Sequence, residues 1–362
     1  MINVDENGSI IQHSMESIYP AFEKLIFIVN SSDVYNFSID QFLKRNFGDD
    51  VVVHVLDHET RGAVETVLSV KKHLNKNDSI FVWCSDVRCS EIDPNYILTN
   101  LDGALYTFKS NNPAYSYCQI DEKGFVTKVE EKKVISSNAN VGGYYFKTWD
   151  IFEIAAKKLM DNNDTINNEF YISKVYNYMI KKGMKVKTCQ VDSIYIFGTP
   201  NEFDFYRNHI LNKFGKENSV VALSSDHSGF KTKESCKKIL DKMKIKWVDY
   251  GCYSDKPTDY ADWSAVAVKA LEDGDCTHLI LSCATGQGQN LLVNKSKKIL
   301  NGLIWNEEMA RMSIEHNCCN SWSIPERFVD EELLRKMLNV LKNSSFGGGR
   351  HQARIMKVLG AT

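Results

Sequence analysis

Short apolar runs alternate with amphipathic, helix-length segments throughout residues 219–341. Apolar runs of this kind, each followed by a segment with helical periodicity, are typical of parallel strands that are covered by helices on both faces. The predicted strands are 219–225, 246–250, 277–283, 302–305 and 321–324, and the predicted helices are 231–243, 260–272, 290–297, 307–316 and 330–341. We therefore predict an α/β fold with a doubly wound, five-stranded parallel sheet, in which ligands bind at the carboxyl ends of the strands.

The first half of the chain also alternates between strand-like and helical segments. The predicted strands are 24–29, 50–56, 79–84, 140–146 and 185–191, with three antiparallel additions at 105–108, 116–120 and 125–129. The predicted helices are 61–74, 149–160 and 171–182. This pattern predicts a larger α/β domain with a mixed, Rossmann-like sheet. The polar, glycine-containing segment 212–219 separates the two halves, so we place the domains at 1–212 and 219–362.

Composition narrows the class of protein. A chain of 362 residues is too long for one ordinary core, and 43% hydrophobic and 25% charged residues are usual for a soluble globular protein. The formal net charge of −2 argues against general nucleic-acid binding. No apolar run is long enough to span a membrane, and residues 1–6 do not resemble a secretory signal. The ten cysteines include no C-x-x-C pair, which predicts reduced thiols in a cytoplasmic protein and no metal site.

Cys283 is the first candidate for chemistry, because it ends a predicted strand and precedes the glycine-bearing loop 284–289. A thiol acts as a base only in its thiolate form, which the helix N-terminus predicted near residue 290 favours. The amides of Gly286 and Gly288 could stabilise an oxyanion that develops beside the thiol. A lone cysteine in this setting is more often a packing residue, so the assignment depends on groups elsewhere in the chain.

Three further groups follow predicted strands or helices. The segment 226–229 offers backbone donors at a helix N-terminus, which suits an anion, although it could equally be a helix cap beside a surface histidine. His316 and Asn317 close a predicted helix, where the histidine could act as a general acid or only as a helix cap. Arg350 and Arg354 share one face of a helix, which suits a phosphate or a solvated helix end.

Taken together, six ordered motifs resemble the type B ribose-5-phosphate isomerases and the related galactose-6-phosphate isomerase subunits. They are S-D-H-S-G-F from Ser225, T-D-Y from Thr258, C-A-T-G-Q-G from Cys283, N-K from Asn294, E-H-N from Glu315 and F-G-G-G-R-H-Q-A-R from Phe346. The resemblance covers roughly residues 219–360. In that family a cysteine moves a proton between C1 and C2 of a sugar phosphate through a cis-enediol, and no cofactor is needed for the isomerisation.

The resemblance implies a role for each matching residue. Cys283 is the base, and Thr285 with the amides of Gly286 and Gly288 stabilises the enediolate. His316, assisted by Asp226, opens the sugar ring. The remaining residues bind the substrate: His227, Arg350 and Arg354 contact the phosphate, and Tyr260 and Asn317 line the sugar. The family's sites form between subunits, so a homodimer or larger assembly is implied.

The sequence departs from the family pattern around the predicted pocket. Ala284 stands where the family usually has glycine, and Gln287 and Gln289 are bulkier than expected. Cys318 replaces an aspartate, and 321–327 replaces a smaller segment that contains glycine. We expect the chemistry to be retained and the pocket that measures sugar length to be altered, so ribose 5-phosphate is expected to be a poor substrate.

The first half carries a second ordered set of motifs: T-R-G-A-V-E-T at 60–66, C-S-D at 84–86, V-E-E-K at 129–132, A-N-V-G at 139–142 and G-T-P at 198–200. The set resembles the sugar-1-phosphate nucleotidyltransferases over about residues 25–206. The resemblance implies that Thr60 and Glu65 lie beside a nucleotide and that Asp86 holds Mg²⁺. It also implies that Lys132 and Asn140 touch a sugar phosphate, with Glu169 near the sugar.

One part of the nucleotidyltransferase pattern is missing. Such enzymes open with a strand and a glycine-rich loop whose Arg and Lys cradle the triphosphate, whereas residues 2–8 hold a single glycine, Gly8, and no arginine. A second metal-binding aspartate of some members is Ile196 here. We expect a degenerate transferase that needs Mg²⁺ only if it is active. Binding of a sugar phosphate or nucleotide sugar, a role in assembly, and an inert scaffold all stay open.

The sequence therefore favours an aldose–ketose isomerase of a phosphorylated sugar, which supplies a sugar for surface polysaccharide. The alternatives are a sugar-phosphate nucleotidyltransferase and a non-catalytic protein that binds a sugar phosphate or nucleotide sugar. We expect neither a nucleic-acid nor a membrane partner.

Overall fold

The computed structural model describes residues 3–5, 8–18, 22–90, 92 and 101–360. The chain divides into two compact units, Met1–Gly198 and Thr199–Thr362. The division comes earlier than the predicted boundary at 212–219, because the helical residues after Thr199 pack with the second unit. There the rings of Phe205 and Phe346 lie 5.9 Å apart.

The first unit contains twelve described strands and six described α-helices. The strands are β1 (Asn3–Asp5), β2 (Gly8–Ser9), β3 (Ile26–Asn30), β4 (Val52–Leu56), β5 (Ile80–Trp83), β6 (Val87–Cys89), β7 (Gly103–Lys109), β8 (Tyr117–Ile120), β9 (Val126–Glu130), β10 (Asn138–Phe146), β11 (Val186–Gln190) and β12 (Ile194–Ile196). The helices are α1 (Ile10–Met15), α2 (Ser31–Phe37), α3 (Ile39–Phe47), α4 (Ala63–Leu68), α5 (Trp149–Asp161) and α6 (Ile172–Lys181).

A six-stranded mixed sheet organises the first unit, which confirms the predicted class. Its order is β11-β7-β10-β8-β9, with β5 also paired to β10, and only the β11–β7 pair is parallel. All nine residues of β10 are buried, since both faces of the strand are covered. Tyr144 and Phe146 face one hydrophobic cluster, whereas Tyr145 faces the other, as the alternation of side chains along a strand requires.

The predicted helix at 61–74 is shorter in the structure. It consists of α4 followed by a 3₁₀ segment, Ser69–His73. Gly62, with φ +114°, precedes α4, and a Cβ there would lie 2.7 Å from the Phe170 amide nitrogen. The close approach to Phe170 therefore decides where the helix begins.

The second unit is a five-stranded parallel sheet, as predicted. Its strands are β13 (Val220–Ser225), β14 (Lys246–Asp249), β15 (His278–Cys283), β16 (Asn301–Leu303) and β17 (Ser321–Pro325), in the order β14-β13-β15-β17-β16. Its helices are α7 (Pro200–Phe205), α8 (Phe230–Lys242), α9 (Tyr260–Asp273), α10 (Gln287–Val293), α11 (Glu307–Glu315), α12 (Glu331–Asn343) and α13 (Arg350–Val358).

Helices cover both faces of this sheet. Ala267 of α9 and Val293 of α10 pack with Leu279 of β15 in one hydrophobic cluster. On β17, Trp322 is fully buried and its Nε1 donates to the Ser313 Oγ of α11 at 2.9 Å. The central strand β15, with neighbours on both sides, is buried along its whole length.

Among the described residues, none of the helices combines the length and the apolar character that crossing a bilayer requires. The ten cysteines are all free thiols, and eight of them are buried.

The first residue of the central strand is a buried histidine. The His278 ring stacks on Trp322 with centroids 5.8 Å apart, and its Nδ1 lies 2.8 Å from the Thr277 Oγ1. Burial lowers the pKa of His278 to about 3 and that of His209 to about 4. Both imidazoles are therefore neutral in the folded chain at neutral pH.

We predict that acidification destabilises the second unit. Unfolding exposes His278, and its pKa returns to about 6.5. Between about pH 3 and pH 6.5 the unfolded chain therefore binds a proton at His278 that the folded chain does not bind. The stabilisation is complete above pH 6.5 and is lost as the pH falls, by about 2 kcal/mol for this residue at pH 5. Urea unfolding at pH 7.5 and pH 5.0, followed by tryptophan fluorescence, measures the difference. His278→Phe should be less stable overall but show a smaller pH effect, whereas His58→Gln, at an exposed position, should leave the effect unchanged.

Candidate active site

The candidate catalytic thiol lies at the carboxyl edge of the central strand. Cys283 is the last residue of β15 and only 5% exposed. Ser282 is in register with Ser225 of β13, and Cys283 with Pro325 of β17. The loops that follow β13, β15 and β17 therefore leave the sheet side by side.

Gly229 brings the loop after β13 directly onto the thiol-bearing strand end. A Cβ at this position would lie 2.2 Å from the Ser282 carbonyl oxygen and 2.7 Å from the Cys283 nitrogen. The backbone angle of Gly229, φ −97°, suits any residue, so space rather than conformation requires the glycine. The segment 226–229 can approach Cys283 only because this side chain is absent.

Two carboxylates already occupy the start of α8. The Asp226 Oδ1 accepts from the Gly229 amide at 2.8 Å, and the Glu326 Oε2 accepts from the Thr232 amide at 2.9 Å. Burial raises the pKa of Asp226, while hydrogen bonds from backbone amides oppose this shift. Protein carboxylates therefore occupy two amides of this helix end, those of Gly229 and Thr232. The anion site at 226–229 stays a prediction.

His227 is held by one ring nitrogen. Its Nδ1 lies 3.0 Å from the Thr258 carbonyl oxygen and 3.2 Å from the Thr258 amide nitrogen. Thr258 is in turn fixed by Trp263, whose Nε1 donates to the Thr258 Oγ1 at 2.9 Å. The other nitrogen of His227, Nε2, has no hydrogen-bond partner among the described residues, so this is the atom that could bind a ligand.

The loop after Cys283 turns immediately into α10. Gly286 has φ +69° and precedes the helix, which begins at Gln287, three residues earlier than predicted. A Cβ on Gly288 would lie 2.7 Å from the Cζ of Tyr260, so this ring packs directly on the glycine. Thr285 is exposed beside them.

Gln289, expected to add bulk to the pocket, points into the protein. Its side chain is fully buried, and its Nε2 donates to the Ser282 carbonyl at 3.2 Å. Its Oε1 is buried and makes no hydrogen bond among the described residues. Gln289 therefore supports the backbone next to Cys283 from the interior.

A second group of candidate residues gathers at the end of α11 and the start of α13. The rings of His316 and His351 stack with centroids 4.3 Å apart and planes 12° apart. The Gly347 amide donates to the Glu315 carbonyl at 2.9 Å, which joins the segment before α13 to the end of α11. The Arg350 Nε donates to the His351 Nε2 at 3.4 Å.

The sequence interpretation assigned no role to His351. Burial lowers the pKa of His351 to about 4, and the positive charges of His316, Arg350 and Arg354 lower it further in the same direction. The one sequence signal for a role of His351 is its position between Arg350 and Arg354 in the motif G-G-G-R-H-Q-A-R.

The candidate residues of the second unit thus form two clusters. The Cys283 cluster consists of Asp226, His227, Tyr260, Cys283, Thr285, Gly286 and Gly288. The His316 cluster consists of His316, Asn317, Arg350, His351 and Arg354. Among the described residues no hydrogen bond, ion pair or ring contact joins the clusters within one chain, and the expected pairing of His316 with Asp226 is not formed there.

In the first unit, the predicted nucleotide-binding segment packs against Phe170. The Phe170 amide donates to the Arg61 carbonyl at 2.8 Å, and the Arg61 guanidinium lies 5.0 Å from the Phe170 ring. The Thr60 and Thr66 hydroxyl oxygens lie 2.5 Å apart, and the Glu65 Oε2 accepts from the Arg61 amide at 2.5 Å. These contacts join the segment that holds Thr60 and Glu65 to Phe170, which follows Glu169 in the sequence.

A chain of hydrogen bonds joins Glu169 to Lys132. The Tyr171 hydroxyl donates to the Glu169 Oε2 at 2.5 Å, and the Lys132 Nζ donates to the Tyr171 oxygen at 2.8 Å. The adjacent Glu131 is buried and accepts from the Ser173 hydroxyl at 2.6 Å. Burial raises the pKa of Glu131. Glu131 was not among the predicted site residues, although it lies in the same V-E-E-K motif as Lys132.

Asp86 and Asn140 complete this group. Burial raises the pKa of the Asp86 carboxyl. Burial also raises the pKa of the Cys84 thiol to about 12, and the negative charges of Asp86 and Glu131 raise it in the same direction. The Asn140 Nδ2 donates to the Ser116 hydroxyl at 2.7 Å, while its buried Oδ1 has no partner among the described residues. Electrostatic interactions link Cys84 with Asp86 and Glu131, and Glu131 with Lys132 and Glu169, so three of the six predicted residues of this unit lie near one another.

Two family models match the chain, and their ranges overlap at residues 221–256. A family described as Ribose/Galactose Isomerase matches residues 221–358, and a family described as Nucleotidyl transferase matches residues 1–256, more than half of the chain. The chain belongs to both families. We refer to the second unit as the isomerase domain and to the first as the nucleotidyl transferase domain.

Individual relatives agree with this assignment. The isomerase domain is similar to the probable ribose-5-phosphate isomerase B of Mycoplasma genitalium, with 33% identity over 141 residues, which are 38% of this chain and 93% of that protein. It is also similar to ribose-5-phosphate isomerase B of Escherichia coli, with 29% identity over 135 residues, 37% of this chain and 91% of that protein. Sugar-phosphate isomerases are thus the relatives of this domain.

The nucleotidyl transferase domain shares its fold with a solved structure. It is similar to the nucleoside-diphosphate-sugar pyrophosphorylase from Vibrio cholerae, with 22% identity and a TM-score of 0.51, over 56% of this chain and 88% of that one. At this identity the similarity shows the fold alone.

The expectation that Asp86 holds Mg²⁺ stays a prediction. A Cβ on Gly198 would lie 2.7 Å from the Asp86 Oδ2, and the position of a second metal-binding carboxylate is Ile196. In the described parts of both domains no three His, Cys, Asp or Glu side chains are grouped so as to hold a metal ion. Residues 1, 2, 6 and 7, within the segment where the glycine-rich loop was sought, lie outside the described residues.

We predict that Gly229→Ala disrupts the isomerase domain locally. The added methyl group meets the backbone of Ser282 and Cys283, so the loop carrying Asp226 and His227 must move, at a cost of about 1–3 kcal/mol. Gly274→Ala is the matched control, because Gly274 has φ +86° but no atom within 4 Å of an added Cβ. Thermal unfolding should show the larger loss for Gly229→Ala. Gly274→Ala costs only the strain of a positive φ, so a loss for Gly229→Ala that is no larger would contradict the importance of the close approach.

Proposed function

We propose that the protein is an aldose–ketose isomerase of a phosphorylated sugar that acts through a cis-enediol. The observation that carries the proposal is the contact of Gly229 with the backbone of Ser282 and Cys283, because it places a histidine-bearing loop over a thiol. The family of the isomerase domain supports the reaction class.

The proposed chemistry is a proton transfer between neighbouring carbons. The Cys283 thiolate removes the C2 proton of the open-chain aldose, the electron pair forms the C1–C2 double bond, and negative charge develops on the C1 oxygen. The thiol then returns the proton to C1 while the C2 hydroxyl proton passes to the C1 oxygen, which gives the ketose and restores the thiolate. Thr285 and the amides of Gly286 and Gly288 are the donors proposed for the oxygen charge.

The steps that precede proton transfer belong to the His316 cluster. We propose that His316 protonates the ring oxygen and that Arg350 and Arg354 bind the phosphate, together with the free Nε2 of His227. In the described part of the chain no hydrogen bond, ion pair or ring contact joins the His316 and Cys283 clusters, so we propose that a second copy of the protein completes the site. A homodimer or larger assembly with shared sites follows from this proposal.

The substrate is proposed to differ from ribose 5-phosphate. Ala284 and Cys318 differ from the residues that the isomerase family usually has next to the cysteine and the histidine. The segment 321–327 also differs, and its Glu326 carboxylate accepts from the Thr232 amide of α8. The accompanying nucleotidyl transferase domain supports a place in the supply of sugars for surface polysaccharide, since nucleotidyl transfer to sugar phosphates produces the activated sugars from which polysaccharides are built.

Incubation with pentose, hexose and heptose phosphates in D₂O tests the activity directly. An active enzyme incorporates deuterium at C1 or C2, which NMR detects. If none of these sugar phosphates exchanges, the proposed reaction is wrong.

We predict that Cys283→Ala lowers kcat by at least about 10³-fold, because the base acts in the transition state. Cys189→Ser, a half-buried thiol of the first unit, is the control and should leave kcat unchanged. Initial rates and circular dichroism of both variants measure the effect and exclude misfolding. A Cys283→Ala variant that keeps wild-type exchange would contradict the role of the thiol.

A second function concerns the nucleotidyl transferase domain. We propose that it binds a sugar phosphate or nucleotide sugar without transferring a nucleotide. The support is the buried Asn140 Oδ1, which has no partner among the described residues, the hydrogen-bonded chain from Lys132 to Glu169, and the absence of a basic loop in residues 2–8. Amide and carboxylate oxygens of this kind can accept from the hydroxyl groups of a sugar.

We predict that Lys132→Gln weakens this binding by about tenfold, because it removes the charge that faces the phosphate. Lys133→Gln, an exposed neighbour, is the matched control and should bind as the wild type does. Calorimetric titration with sugar 1-phosphates and nucleotide sugars measures the affinities. Release of pyrophosphate from CTP, UTP, ATP or dTTP with a sugar 1-phosphate would instead show that the domain is a working transferase.

A further inference from the structure

His351 has no part in the reaction proposed above, yet it contacts two residues that do. Its ring stacks on His316 with centroids 4.3 Å apart, and its Nε2 lies 3.4 Å from the Arg350 Nε. The three residues come from two helices, α11 and α13. His351 is therefore placed between the proposed acid and a proposed phosphate ligand.

The contact with Arg350 determines which nitrogen of His351 carries the proton. The guanidinium Nε–H can only donate, so the His351 Nε2 must accept and cannot be protonated. The neutral ring then carries its proton on Nδ1. In this form His351 orients the guanidinium without competing with it for an anion.

The charges around the ring favour the same neutral form. Burial is the largest cause of the low pKa of His351, about 4, and the neighbouring His316, Arg350 and Arg354 are all positive when charged. A protonated His351 would face these three groups in a partly buried setting. A neutral ring, by contrast, can lie against a protonated His316 as an aromatic face lies against a cation.

The backbone holds the two rings in register. The Gly347 amide donates to the Glu315 carbonyl at 2.9 Å, one residue before His316 and four before His351. A Cβ on Gly347 would lie 3.2 Å from that carbonyl oxygen. The close approach fixes the start of α13 against the end of α11, so the stack does not depend on the two side chains alone.

We propose that His351 is a positioning residue, which stays neutral throughout the reaction and holds the ring-opening acid His316 and the phosphate ligand Arg350 in one geometry. The inference rests on the proposed isomerase function, since only that function gives His316 and Arg350 their roles. It assigns His351 no proton transfer.

Three substitutions separate the two contacts. His351→Phe keeps a stacking ring but loses the acceptor, so kcat should stay within about threefold while KM rises about tenfold. His351→Asn keeps an acceptor but loses the stack, so kcat should fall about tenfold with a smaller change in KM. His351→Ala loses both contacts and should show both effects. Lys357→Gln, an exposed residue of the same helix, is the control.

The pH profile distinguishes positioning from proton transfer. If His351 only positions, the pH dependence of kcat in His351→Phe matches that of the wild type. If His351 transfers a proton, His351→Phe loses as much kcat as His351→Ala and its profile loses a limb. That result, or wild-type kinetics in His351→Ala, would overturn the proposal.

Binding of inorganic phosphate supplies a readout that needs no turnover. Calorimetry should show weaker phosphate binding in His351→Phe and His351→Ala than in the wild type and His351→Asn. Long-range ¹H–¹⁵N spectra should show the Nδ1-protonated tautomer of His351 in the wild type down to pH 5. If these hold and no sugar exchanges deuterium, the isomerase proposal fails while the positioning geometry stands. If sugars exchange and the variants bind phosphate equally, the positioning proposal alone fails.

Discussion

The candidate site of the isomerase domain depends on one close approach between two strand ends. Gly229 lies so near the Ser282 carbonyl that even a methyl group would overlap it. Parallel strands end at the same edge of a sheet, but they stand almost 5 Å apart, and their loops normally diverge. Because Gly229 carries no side chain, the loop after β13 can cross the end of β15. Asp226 and His227 are thereby brought to the thiol at the end of the neighbouring strand.

Much of this arrangement could be predicted from the sequence, since it follows from local patterns. The apolar run that ends in Cys283 identified the central strand, and its position before a glycine-rich loop placed the thiol at the carboxyl edge. The class and strand count of the isomerase domain followed in the same way, because strands covered on both faces leave continuous apolar runs. The mixed sheet of the other domain was also predictable, although the start of α4 depended on a tertiary contact with Phe170.

What could not be predicted depends on residues that are distant in the sequence. His316 and His351 are on different helices, and no spacing rule shows that their rings stack. The carboxylate of Glu326 reaches α8 from a segment that was noted only as a departure from the family pattern. The packing units divide at Gly198, whereas the predicted boundary lies at 212–219, because composition shows where a chain is polar and not which helix packs on which core.

The position of Glu326 has a consequence for the loops on either side of Cys283. β13 and β17 flank β15 in the sheet, and the Glu326 carboxylate, which follows β17, accepts from the Thr232 amide near the start of α8, which follows β13. A hydrogen bond therefore spans the end of β15 and joins the segments that leave its two neighbours. Displacement of either segment would strain the other, so the surroundings of the thiol behave as one mechanical unit.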